Sequence, residues 1–155
     1  CQKNLQNIYV ALNIYAADNH ENFPFVKGAA TSEAPLSLLV PRNTSVTEIF
    51  ICPGSKDSKL PEGESFAKRR ISYAYYMGRT ASDGEQVLAS DKQVDTQAKQ
   101  AGDTVFSENG KFPGNNHHKY GGTFLFCDGG MKSSPAKSPL ALPLATNVVL
   151  LNPKP

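Results

Sequence analysis

A chain of 155 residues with 39% hydrophobic side chains has room for one domain with its own core. Sixteen basic and fourteen acidic side chains leave a net charge of +2, which announces no large basic face for nucleic acid. Eleven prolines and twelve glycines argue against a helical bundle and for a loop-rich α+β domain, and no run approaches the ~20 consecutive apolar residues of a membrane helix.

Residues 2 to 18 carry the clearest periodicity. Leu5, Ile8, Tyr9, Leu12, Tyr15 and Ala16 recur at helical spacing, with Lys3, Asn7, Asn13 and Asp18 off that stripe. The pattern predicts an amphipathic helix that ends near Asn19 to Asn22, ahead of Pro24, because the residue before proline avoids helical angles. Ala34 to Val40 reads as a short helix ended by Pro41. Thr47 to Cys52 alternates well enough to be a strand entering a Cys52-Pro53-Gly54-Ser55 turn. Residues 55 to 69 are polar and form a surface loop.

Ile71 to Gly78 reads as a strand, with Ser72, Ala74 and Tyr76 on one face and Tyr73, Tyr75 and Met77 on the other. Gln86 to Ser90 is its antiparallel partner across the Asp83-Gly84 turn. Tyr73, Tyr75 and Tyr76 would suit a stacking or ligand-binding platform if exposed, but strand alternation favours core or subunit contact. Lys68-Arg69-Arg70, the one basic cluster in the linear sequence, reads as a solvated loop, so nucleic acid is not an expected partner.

The densest stretch is Asn115 to Lys132. Two asparagines and two histidines precede Gly121-Gly122, a run of strand chemistry from Thr123 to Cys127, and Asp128-Gly129-Gly130. Gly122 to Cys127 is expected to be a core strand, Asp128-Gly129 its turn, and Met131 to Ser133 the returning strand. Residues 135 to 155, with five prolines from Pro135 onward, predict an extended tail packed over the body, with Val148 to Leu151 as an edge strand.

His117, His118 and Asp128 invite a metal hypothesis, since imidazole and carboxylate suit several transition metals. A strand from 122 to 127 spans about 20 Å, however, and would hold His118 and Asp128 at opposite ends. Turn and cap hydrogen bonds are therefore the preferred role, and no cofactor is expected. No G-x-S-x-G, P-loop or dinucleotide glycine pattern occurs, and a Cys127 thiol inside an apolar strand would be inert. Of the three cysteines, Cys1 and Cys52 can pair in an oxidising compartment.

His118 followed by nine residues and Asp128-Gly129 resembles the signature of the prepilin-type processing-associated H-x9-D-G domain family. Cys1-x-x-Asn4-Leu5-x-x-Ile8, Tyr15, Asp18-Asn19, Phe23-Pro24, Cys52-Pro53 and Ser72-Tyr73 are similar to the same family, to about Lys132. Gly130 departs from it where a second histidine is frequent, and the tail beyond Ser134 has no counterpart. The resemblance implies an α+β, type IV pilin-like globular head spanning 1–155, with residues 1–20 as the exposed half of a long N-terminal helix. A leader and a membrane-embedded half of that helix would precede Cys1.

The implied function is that of a non-enzymatic pseudopilin-like subunit of a type II secretion or type IV pilus-like system. Its partners would be other pilin-like subunits and their assembly machinery. It would be periplasmic or at the cell surface, anchored to the inner membrane, with His118, Asp128 and Gly129 as structural motif residues. The alternative is a surface-associated metal-binding enzyme or sensor that uses His117, His118 and Asp128.

Overall fold

The computed structural model describes residues 2–111, 113–116 and 121–155. Helix α1 runs from Gln2 to Asp18 and buries Leu5, Ile8, Ala11, Leu12 and Ala16. Tyr9 and Tyr15 lie half-buried at the margins of that stripe. The helix ends where His20 and Glu21 take left-handed angles (φ 55° and 65°), and the Glu21 amide turns back to the Ala16 carbonyl at 2.8 Å. Asn19 reinforces the exit by donating its side-chain amide to the Tyr15 carbonyl at 2.7 Å.

Five antiparallel strands form one sheet: β1 Tyr73–Met77, β2 Val87–Asp91, β3 Gly122–Phe126, β4 Met131–Ser134 and β5 Val149–Leu151. Their spatial order is β4-β3-β2-β1-β5. Short connections join β1 to β2 and β3 to β4, a long one over residues 92–121 joins β2 to β3, and the chain's last strand returns to the free edge of β1. The α+β mix, the helix and the β1–β2 and β3–β4 pairs are those the sequence predicts, whereas the β2–β3 and β1–β5 pairings were not specified by it.

The alternation read from Ile71 to Gly78 sorts the sheet into two cores. Tyr73, Tyr75 and Met77 join Ala89, Leu125 and Leu151 beneath α1. Ala74 and Tyr76 join Phe124, Leu150, Val105, Phe106 and Leu142 on the other face. A register shift between Val87 and Ala89 places both Leu88 and Ala89 on the helix side. The second face is roofed by the proline-rich tail, whose Ala136 carbonyl accepts from the Val105 amide at 2.8 Å. The three β1 tyrosines are therefore buried, and a ligand platform of exposed tyrosines is not present there.

Thr47 to Cys52 corrects the sequence reading. Thr47–Phe50 is a 3₁₀ helix, not a strand. The outer edge of β1 is taken by β5, so that edge is closed to residues 47–52. Its alternation serves instead to bury Thr47, Ile49 and Phe50 against the α1 core. In place of the one short helix expected from Ala34 to Val40, the chain forms α2 (Glu33–Leu36) followed by a 3₁₀ turn (Ser37–Leu39).

Candidate functional site

The Asp128-Gly129 turn closes β3 onto β4. The exposed Asp128 carboxylate accepts the Gly130 amide at 2.8 Å, and the Gly129 amide donates to the Phe126 carbonyl at 3.0 Å. The Asp128 amide reaches the Gly84 carbonyl at 3.1 Å, which ties this turn to the tip of the β1–β2 hairpin. Gly129 has φ 90°, and a Cβ built there would stand 2.7 Å from the Tyr9 ring of α1. Asp128 thus caps the turn, and Gly129 lets the helix approach, a packing role that the sequence did not suggest.

His117 and His118 lie outside the described residues. Their described neighbours, Asn116 and Gly121, adjoin the start of β3, whereas Asp128 follows its end. Among the described residues no group of three His, Cys, Asp or Glu is placed to hold a metal ion.

A second polar centre lies at the start of β3, and the sequence reading missed it. Buried Asp91 accepts the Thr123 amide at 2.9 Å and the Asn116 side-chain amide at 3.0 Å. Asn116 also donates to the Ser72 carbonyl. The Ser72 hydroxyl then carries the network outward. It donates to Asp57 Oδ2 at 2.7 Å and accepts the buried Cys52 amide at 2.8 Å. Ser55 closes the Cys52-Pro53-Gly54-Ser55 turn by donating its hydroxyl to the Cys52 carbonyl at 2.7 Å. The Cys-Pro and Ser-Tyr pairs noted in the sequence are therefore two halves of one junction.

Asp57 carries the electrostatics of this junction. Its side chain is only 2% exposed, with Arg70 Nε at 2.9 Å from one carboxylate oxygen and Lys92 Nζ at 2.8 Å from the other. Burial works against its ionisation, but the hydrogen bonds from Lys92 and Ser72 and the charges of Lys92 and Arg70 outweigh it and hold the carboxyl below its usual range. A cleft of about 540 Å³ opens above, lined by Pro53, Lys56, Arg70, Lys92 and Lys111 around Asp57.

Cys52 is disulfide-bonded, whereas Cys127 is free and buried. Cys1, the partner expected from sequence, lies outside the described residues. Burial pushes the Cys127 thiol up to about 12, which removes it as a nucleophile at neutral pH.

The outer face of α1 was also missed. Val10 and Ile14 are 53% and 45% exposed, one turn apart and opposite the buried stripe. The signal was present in the sequence as two large aliphatics spaced i, i+4 off the main stripe. Among the described residues no helix is long and apolar enough to cross a membrane.

Comparison with protein-family models, with curated proteins and with solved structures finds no match for this chain.

Proposed function

We propose that this chain is the pilin-like head of a non-enzymatic, pseudopilin-like assembly subunit. It would belong to a type II secretion or type IV pilus-like system, anchored to the inner membrane and facing the periplasm or cell surface. The observation that carries the reading is the two-sided character of α1. One face is sealed into the sheet by Leu5, Ile8 and Leu12, and the opposite face leaves Val10 and Ile14 in solvent.

An isolated head gains nothing from such a face, because leaving two large aliphatics about half exposed forgoes roughly 1 kcal/mol of burial for each. Packed against the same helix of neighbouring subunits, the face would be covered. The Asp128-Gly129 turn is consistent with this role, since its close approach to Tyr9 adds to the buried stripe that seats α1 on the sheet. The resemblance of the His118 to Gly129 spacing to the H-x9-D-G signature points the same way.

The test is the assembly state of the intact protein, extracted with its membrane segment. Oligomers or fibres by sedimentation and electron microscopy are expected. An intact protein that remains monomeric and soluble would contradict the reading.

A further inference from the structure

Arg79 is a buried cation without a carboxylate partner. Only 6% of its surface is exposed, and no carboxylate among the described residues lies within ion-pair distance of it. Buried charges are ordinarily paired, because a low-dielectric site penalises a lone ion. The Arg79 Nε donates to the Val87 carbonyl at 3.2 Å and Nη2 to the Pro143 carbonyl at 3.3 Å. Its guanidinium lies over the Tyr76 ring, 5.6 Å from the centroid. A guanidinium carries five N–H groups, so three are left with no acceptor among the described residues.

The acids of the adjoining turns are committed elsewhere. Asp83 accepts the Thr80 amide at 2.8 Å, and Asp128 the Gly130 amide at 2.8 Å. Glu85 is exposed and shares a cavity lining with Arg79, but it does not bond to it. A neutral donor would suffice to tie the tail down at Pro143. A charge in that place adds a desolvation cost, which two carbonyls and one aromatic face offset only in part.

The cavity has a volume of about 420 Å³ and lies between the tail and the sheet face opposite α1. Val87 and Phe126 line it from β2 and β3, and Leu140, Leu142 and Pro143 from the tail. Phe126 and Leu140 are half-buried and Pro143 is exposed, so apolar surface stays open to solvent at its mouth. The charges in the lining are Arg79 and Lys132 against Glu85, a surplus of one cation. Small-molecule sites have this make-up, a mostly apolar wall of about 300–1,000 Å³ with a few placed polar groups.

We infer that this cavity binds a small molecule that carries one carboxylate on an apolar body. Arg79 receives the carboxylate, whose two oxygens match the planar fork of a guanidinium. The apolar body lies along Phe126, Leu140 and Leu142. A single negative charge balances the lining, and the apolar walls disfavour a small, strongly hydrated anion. The site faces away from α1, so the inference stands apart from the assembly reading and neither depends on the other.

The test is calorimetric titration of the 155-residue chain with octanoate. Octan-1-ol, which lacks the charge, and inorganic phosphate, which lacks the apolar body, serve as contrasts. Octanoate is expected to bind with a Kd of about 1 mM or tighter, and at least about tenfold more tightly than either contrast. Arg79→Gln keeps side-chain donors without the charge and should weaken octanoate at least about tenfold. Glu85→Gln alters an exposed side chain and should leave the thermal melt unchanged. It should also tighten octanoate about two- to fivefold, because it removes a like charge beside the carboxylate. No octanoate binding at about 10 mM, or either contrast binding as tightly as octanoate, would overturn the site. A lower melt for Glu85→Gln without tighter binding would make Glu85 the counter-ion of Arg79 and overturn it too.

Discussion

Tyr9 and Gly129 are in direct contact across the helix–sheet interface. The β3–β4 turn comes so close to α1 that a Cβ on Gly129 would lie 2.7 Å from Tyr9 Cε2 and 3.1 Å from Cζ. Gly129 also holds φ 90°, a conformation L side chains rarely adopt. The glycine of the Asp-Gly pair therefore answers to the backbone and to the packing of the helix at once.

Gly129→Ala is expected to lower stability by about 1–3 kcal/mol, the range for holding a non-glycine residue in an unfavourable backbone region, with the Tyr9 clash in addition. Placing the same substitution in a Tyr9→Ala background should relieve the clash and leave the backbone cost. A double-mutant cycle by urea denaturation should then show coupling of about 0.5–3 kcal/mol. Strict additivity would mean that Tyr9 does not sense this turn.

Ser72 is expected to be the most sensitive hydroxyl in the chain. Its removal in Ser72→Ala leaves the buried Cys52 amide without its 2.8 Å acceptor and takes one of three donors from Asp57, which keeps Lys92 and Arg70. The cost should be about 1–3 kcal/mol, the penalty for an unsatisfied buried polar group. Thermal melts should show Ser72→Thr recovering part of it, and equal melts for wild type and Ser72→Ala would remove the junction from this account.

The elements that could be read from the sequence are those fixed by local patterning. The helical recurrence of Leu5, Ile8, Leu12 and Ala16, and the alternation through Tyr73, Ala74, Tyr75 and Tyr76, each survive because one face of the element meets a core. Thr47 to Phe50 shows the limit, since a short 3₁₀ turn on a core repeats apolar residues much as a strand does. That the β1 edge goes to β5, more than 90 residues later in the sequence, is invisible in the local pattern. The basic cleft was illegible for a related reason. Lys56, Arg70, Lys92 and Lys111 come from four separated segments, and no linear window shows their sum.

Asp57 predicts an acid limb to stability. Its folded pKa lies below the unfolded value, so its contribution is fully present above the ordinary aspartate pKa of about 3.9 and is lost as pH falls through the folded pKa. Urea midpoints measured downward from pH 5 should fall for wild type. Asp57→Asn should be less stable at pH 5 and show a shallower fall. An unchanged slope in Asp57→Asn would assign the acid limb to other carboxylates.

Cys127 should resist thiol reagents in the folded chain. Its thiol is 2% exposed as a residue and raised to about 12 by burial, so almost no thiolate is available near pH 8. Titration with a chromogenic disulfide should find one free thiol in denaturant and essentially none in buffer. Rapid native labelling would show that β3 opens at its end or that the thiol is activated.

The central claim concerns the outer face of α1, and site-directed cross-linking in the intact protein tests it most directly. Val10→Cys and Ile14→Cys replace exposed side chains, so each should change stability by no more than about 0.5 kcal/mol. Under mild oxidation both variants should yield disulfide-linked dimers of subunits in their native membrane, while a control at Ser65, in the exposed loop between Cys52 and β1, should not. Cross-linking at Val10 and Ile14 no greater than at Ser65, with the fold intact, would contradict the assembly-subunit account.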